Sequence, residues 1–188
     1  MRMKMFAAFA AAAVLTVSAL AMGPVPRPAP NLDFVDANGK HVVLSSYRGK
    51  VVVLQFLLTT CPHCQNMSMM LSKMQAEFGP RGFQALGVAY NVMDEPTTTP
   101  AQAGAAARDY ASKYAAGFPV GYDPHEPILA FLSDSVLDRL GFPQVVVVDK
   151  KGVIRAQSEP QGTAALQDEH TLTMLVDNLL KEGAISKK

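Results

Sequence analysis

Cys61 and Cys64 are the only cysteines among 188 residues, and they stand in LLTTCPHCQNM, residues 57–67, with Pro62 and His63 between them. That spacing suits three kinds of chemistry: thiol–disulfide exchange, part of a metal site, or a structural disulfide. A two-residue loop constrains an unfolded chain little, so the pair makes a weak staple. Structural zinc takes four ligands, and no second Cys-x-x-Cys exists here. Copper(I) has softer donors available, since Cys64, Met67 and Met70 lie close to His63 in the sequence. Methionines at helical spacing also serve as core filler. Exchange requires a thiolate, whereas an ordinary cysteine has a pKa of about 8.5.

The elements beside the pair supply a bias toward the thiolate. KVVVLQFLL, residues 50–58, is a continuous apolar run without alternation, which predicts a strand buried on both faces. A helix follows the cysteines: Pro62 suits its first turn, and Met67, Met70, Leu71, Met74 and Phe78 recur at spacings of three and four. Gly79 and Pro80 stop it, and GFQALGVAY, residues 82–90, is the next strand. The cysteines therefore sit at the strand-to-helix turn of a β-α-β unit. Unpaired N–H groups and the positive end of the helix dipole face Cys61 there, and His63 adds a nearby donor. Cys64, one turn further in, is expected to be more buried and less acidic. This asymmetry makes Cys61 the attacking sulfur and Cys64 the resolving one.

The other elements surround that unit. NLDFVDANGKHVVLSSYRGK, residues 31–50, contains a hairpin signal at Asn38-Gly39. Thr99, Pro100 and Gln102 form a capping-box start for a second helix that ends by Gly117. Residues 118–123 are a short strand, and residues 126–141 a broken helical stretch. QVVVVDKKGVIRAQ, residues 144–157, is a second hairpin turning at Lys151-Gly152, and residues 168–183 form an amphipathic last helix. Phe118 is expected in the core. His41, His125 and His170 are scattered and are expected at the surface or at caps.

Composition narrows the function classes. Lys and Arg number 17 against 16 acids, with no basic tract, which argues against nucleic acid as a partner. Residues 6–21, an uncharged apolar run after Arg2 and Lys4 with Ala19 and Ala21 at its end, predict a signal peptide or an uncleaved N-terminal anchor. No cysteine near that end permits lipid attachment. A Pro-rich linker is expected over 22–30 and one domain over 31–188. The domain is placed outside the cytoplasm, periplasmic or otherwise extracytoplasmic. It touches a membrane only if the leading segment stays attached.

FVDANGKHVVLSSYRGKVVVLQF followed by TTCPHC resembles the TlpA/ResA-like thiol–disulfide oxidoreductases of the thioredoxin superfamily, a group close to the AhpC/TSA and Redoxin-like sequences. The resemblance covers about residues 31–183. It implies an α/β thioredoxin-like fold: a central mixed sheet flanked by helices, an N-terminal β-hairpin and an αβ insertion over about 94–134. It further implies a cis Phe142-Pro143 bond facing the cysteines, so Pro143 joins Cys61 and Cys64 as a catalytic residue. Phe142 and Thr60 line the substrate, and Pro62, His63 and Gln55 tune the redox centre. The implied partners are protein thiols and disulfides, with a DsbD-like membrane protein as electron donor in the reductase direction, and no cofactor or metal.

The chain departs from that family at three places. Thr60 stands where tryptophan is common, Gln55 where thioredoxin has a buried aspartate, and Met67 where ResA-type reductases have a glutamate. CPHC is also the motif of DsbA-type oxidases, although the surrounding pattern is TlpA-like. Leu54 and Leu58 replace the proline and threonine of the peroxiredoxin motif, which argues against peroxidase activity. The expected function is an extracytoplasmic thiol–disulfide oxidoreductase exchanging disulfides with proteins, reductase-type ahead of oxidase, with a Cu(I)-binding metallochaperone as the alternative.

Overall fold

The computed structural model describes residues 25–134 and 139–182. The expected signal or anchor segment lies outside the described residues. Two short strands come first: β1 (Arg27–Pro28) and β2 (Asp33–Asp36). β2 turns into β3 (His41–Val43) through Gly39 at φ +80°, and the Asp36 carboxylate accepts from the Asn38 and Lys40 amides at 2.8 and 2.9 Å. This is the expected hairpin, closed by an Asp side chain that mimics a backbone turn.

β4 (Val51–Leu57) is buried at every position. Alternation along the strand sorts its side chains by face. Val51, Val53 and Leu57 join one apolar cluster; Val52, Leu54 and Phe56 join the other. Gln55 belongs to the first series. α1 (Pro62–Phe78) then crosses to β5 (Phe83–Ala89), which lies parallel to β4. α2 (Pro100–Tyr114) starts at a complete capping box between Thr99 and Gln102, and leads to β6 (Val120–Tyr122), parallel to β5.

α3 (His125–Leu132) follows, then the antiparallel pair β7 (Gln144–Val148) and β8 (Val153–Gln157). α4 (Ala164–Gln167), a short helix the sequence pattern does not announce, precedes α5 (Glu169–Lys181), whose Asp168 cap accepts from the Thr171 amide at 2.9 Å. One eight-stranded mixed sheet results, in the order β1-β8-β7-β4-β5-β6-β2-β3. α1, α2 and α5 bury their apolar stripes in the first cluster, with the methionines at 67, 70 and 74 inside it. α3 covers the other face through Ile128, Phe131 and Leu132.

The Pro-rich stretch behaves differently from a free linker. Arg27 and Pro28 pair with Ile154 and Val153 of β8, and the Ala29 amide donates to the Gly152 carbonyl at 2.9 Å. The ordered sheet therefore begins ahead of residue 31. Proline is tolerated because β1 is an edge strand, where one ladder N–H is dispensable. Among the described residues no helix is long and apolar enough to cross a membrane.

Candidate active site

β4 runs straight to its last buried residue and the chain then turns sharply. The Cys61 amide donates to the Leu58 carbonyl at 3.1 Å. Asn91, just past β5, clamps this turn: its Oδ1 accepts from the Thr59 amide at 2.9 Å and its Nδ2 donates to Thr59 Oγ1 at 3.1 Å. Gln65 Nε2 adds a bond to the Thr59 carbonyl at 3.1 Å. Cys61 is the N-cap of α1, with Pro62 in the first turn, and its Sγ accepts from the Cys64 amide at 3.5 Å. A sulfur in that place satisfies an N–H that the helix itself leaves unpaired, and it sits at the positive end of the dipole.

The two thiols differ as their positions dictate. Both are free, with Cys61 partly exposed and Cys64 fully buried. Burial pushes the Cys64 thiol up to about 12, against a backbone hydrogen bond from Leu58 that pulls it down. The Cys61 thiol faces the Phe142 carbonyl at 3.9 Å, and the Phe142-Pro143 bond is cis. Pro143 is buried. Gln144 fastens this loop: its side-chain Nε2, with two hydrogens to share, lies 2.6–3.0 Å from the carbonyls of Gly141, Glu159 and Pro160.

Beneath Cys64 lies a buried polar chain. Gln55 Nε2 donates to the Cys64 carbonyl at 2.9 Å, Ser68 Oγ donates to Gln55 Oε1 at 2.8 Å, and Tyr110 OH lies 2.8 Å from Ser68 Oγ. The amide orientation is fixed, because a flip would set oxygen against the Cys64 carbonyl. Ser68 then spends its proton on Gln55, so the Tyr110 hydroxyl is the donor to Ser68. Every group in the chain is neutral. Burial and the nearby thiols hold the Tyr110 hydroxyl above its ordinary range.

The remaining expected site residues are distributed as follows. Thr60 and Pro62 are exposed beside Cys61. His63 is exposed too, and among the described residues no hydrogen bond joins it to Cys61. Instead it lines a hollow of about 330 Å³ with Asn66, Met67, Met70, Gln167 and Glu169. Among the described residues no group of three or more His, Cys, Asp or Glu is placed to hold a metal ion. Phe142 is half-buried, its ring 5.2 Å from Tyr90. Phe118 is in the core, as expected.

Sequence reasoning passed over Asn91, Gln144, Ser68 and Tyr110. Two left a trace: Ser68 lies one turn beyond Cys64, within the inward stripe of α1, and Gln144 opens an otherwise all-valine strand. His125, expected at the surface or at a cap, opens α3, and its ring stacks on Tyr90 at 4.0 Å.

A Cys-x-x-Cys at the β4–α1 turn, its first residue partly exposed and its second sealed, opposite a cis proline, defines a thioredoxin-like fold whose dithiol is arranged for thiol–disulfide exchange. The fold is shared with solved structures. A thiol:disulfide interchange protein of the thioredoxin family from Chlorobium tepidum TLS matches with a TM-score of 0.64 and 23% identity, covering 84% of this chain and 99% of that one. A thiol:disulfide interchange protein from Bacteroides sp. matches with a TM-score of 0.59 and 21% identity, covering 81% and 90%.

The chain belongs to the AhpC/TSA family, whose model matches residues 25–157. Two Xenopus laevis proteins, "Probable glutathione peroxidase 8-A" and "Probable glutathione peroxidase 8-B", are each 30% identical over 138 residues. The match takes in 70% of this chain and 66% of the length of each of those relatives.

Proposed function

We propose that this protein reduces disulfides in other proteins outside the cytoplasm, through Cys61 and Cys64. One observation carries the reading: Cys61 is partly exposed at the α1 N-cap and its sulfur faces the Phe142 carbonyl at 3.9 Å, while Cys64 is sealed one turn behind it. Cys61, as thiolate, attacks one sulfur of a substrate disulfide. A Cys61–substrate bond forms, the substrate S–S bond breaks, and one substrate thiol departs with a proton. Cys64 then gives up its proton and attacks the Cys61 sulfur. The enzyme disulfide forms and the second substrate thiol leaves, carrying that proton. Two electrons have passed to the substrate, and a membrane dithiol donor of the DsbD kind returns the enzyme to its dithiol form.

The leading residues 6–21 support an extracytoplasmic site, as does the likeness in fold to thiol:disulfide interchange proteins. The peroxidase name belongs to the Xenopus relatives. Around Cys61 this chain has Leu54 and Leu58, and neither offers the hydroxyl that the peroxiredoxin motif sets beside its sulfur. In an insulin-reduction assay Cys61→Ser abolishes turnover, while Cys64→Ser accumulates a mixed disulfide through Cys61. Undiminished turnover in Cys61→Ser refutes the proposal.

A second reading, Cu(I) carriage, draws on the hollow that His63, Met67 and Met70 share beside the cysteines. Cu(I) titration of the reduced protein separates the two. One-to-one binding that blocks exchange favours carriage, and exchange that persists in the presence of Cu(I) excludes it.

A further inference from the structure

On one side of Cys61 stands a stack of rings that the exchange chemistry, as described, does not use. Tyr90 directly follows β5, and its amide donates to the Leu57 carbonyl at 2.8 Å, which ties it to the strand that carries the cysteines. One side of its ring meets Phe142, with centroids 5.2 Å apart and planes at 46°. The His125 ring lies parallel to it, 4.0 Å between centroids and 2° between planes. His125 opens α3, and its Nε2 lies 3.0 Å from the Tyr90 carbonyl and 2.9 Å from Asp94 Oδ1. Both partners are acceptors only, so Nε2 carries the hydrogen and the ring is held in one tautomer and one orientation. The stack thus runs from exposed Asp94 through His125 and Tyr90 to Phe142, whose carbonyl faces the Cys61 thiol.

The half-exposed polar end of the stack is what calls for an account. His125 contributes to neither apolar cluster, and an imidazole pinned by two acceptors costs side-chain entropy. Phe142, in contrast, has to stay put under the exchange reading above: the backbone on both sides of its carbonyl lies beside the Cys61 thiol and is the edge that an extended substrate segment would use. Its ring has no hydrogen bond to hold it. It packs at the margin of both apolar clusters, and the Tyr90 ring, itself backed by the pinned His125 ring, adds to that restraint.

We propose that His125 and Tyr90 are positioning residues for exchange with protein disulfides: they hold Phe142, and with it the backbone edge beside Cys61, in the place that a substrate chain needs. The proposal rests on the thiol-exchange reading above. A small disulfide touches only the sulfur and has no use for the edge, whereas a protein disulfide depends on both. A stack that merely packs α3 onto the sheet affects both substrates equally and shows in the melting temperature.

The test measures second-order rate constants of the reduced protein with insulin and with bis(2-hydroxyethyl) disulfide, for wild type, His125→Ala, His125→Gln and Asp94→Asn. One stacking contact and one charge-assisted hydrogen bond together correspond to about a tenfold effect. The expected result is about a tenfold loss toward insulin for His125→Ala, with the small disulfide within twofold of wild type. His125→Gln, which keeps a donor, recovers part of the loss. Asp94→Asn, at an exposed position, shows a smaller loss with the same selectivity, and so keeps the test sound if His125→Ala is unstable. Equal losses toward both substrates, or no loss toward insulin in any variant, overturn the proposal. A wild-type protein that reduces neither substrate overturns the thiol-exchange reading, and this inference with it.

Discussion

Gln55→Glu probes the floor beneath Cys64 most directly. The wild-type side chain is fully buried, donates to the Cys64 carbonyl at 2.9 Å and accepts from Ser68 at 2.8 Å. A protonated carboxyl reproduces both bonds with almost no change in shape. An ionised one sets a negative oxygen against the Cys64 carbonyl, out of reach of water and with no cation among its partners. Its pKa in the folded state therefore rises, and buried glutamates reach about 8 to 9 in such surroundings. The unfolded chain keeps a value of about 4.3. An acid whose folded pKa is raised leaves stability intact below the unfolded pKa, and removes it as pH climbs toward the folded one. At pH 7 the interval spans about 2.7 pH units, or roughly 3.7 kcal/mol at 1.36 kcal/mol per unit. Urea unfolding of the variant and the wild type at pH 4 and pH 7 measures this directly. The expected difference in stability is near zero at pH 4 and several kcal/mol at pH 7. The same small difference at both pH values would mean that water reaches the Gln55 site, and the sealed, neutral floor described above would be wrong.

Three further outcomes follow from the geometry. Asp123 is buried near Asp33, and burial first, then that neighbour, pushes its carboxyl up to about 6. Wild type thus loses stability as pH rises through the window from about 4 to 6, and Asp123→Asn is expected to gain about 1–2 kcal/mol above pH 6 and nothing below pH 4, read from thermal melts across pH. Asn91→Ala leaves the Thr59 amide without its acceptor and frees the turn before Cys61; unfolding should show a loss of about 1–3 kcal/mol, together with slower insulin reduction. Thr99→Ala removes the capping box of α2, far in sequence from the cysteines, and should cost about 1 kcal/mol in urea unfolding while leaving the exchange rate unchanged.

What the sequence made legible follows from local physics. The unbroken apolar run of β4, the Pro62 start of α1 and the methionine stripe each depend on residues within a turn or two. Period-two alternation also settles that Gln55 shares a face with the helix carrying Cys64, since Val53 and Leu57 flank it on that face. The partners of Gln55 do not follow from alternation. Ser68 lies 13 residues on, and Tyr110 a further 42 beyond Ser68, on a helix whose placement depends on the whole first cluster. Nor does a Pro-rich stretch announce that two of its residues will close the edge of a sheet.

His125 shows most clearly where local reasoning stops. By itself it is a polar residue at the start of a short helix, and reading it as a cap is reasonable. Its role depends on strand register. β5 and β6 pair in parallel with Ala89 opposite Tyr122, so the chains leave the sheet side by side, Tyr90 from one strand and His125 three residues after the other. β4 and β5 pair with Leu57 opposite Ala89, which sends the cysteine turn out at the same level. Three loops with no shared motif are thereby gathered at the carboxyl ends of three parallel strands, where α/β sheets place their chemistry. Sliding β6 by one residue against β5 would keep every element, the Cys-x-x-Cys and the cis proline. It would also flip the faces of β6 and carry His125 about one residue's rise, some 3.3 Å, out of register with the Tyr90 ring. The nucleophile is therefore written in four consecutive letters, while the wall beside it is written in the pairing of two strands.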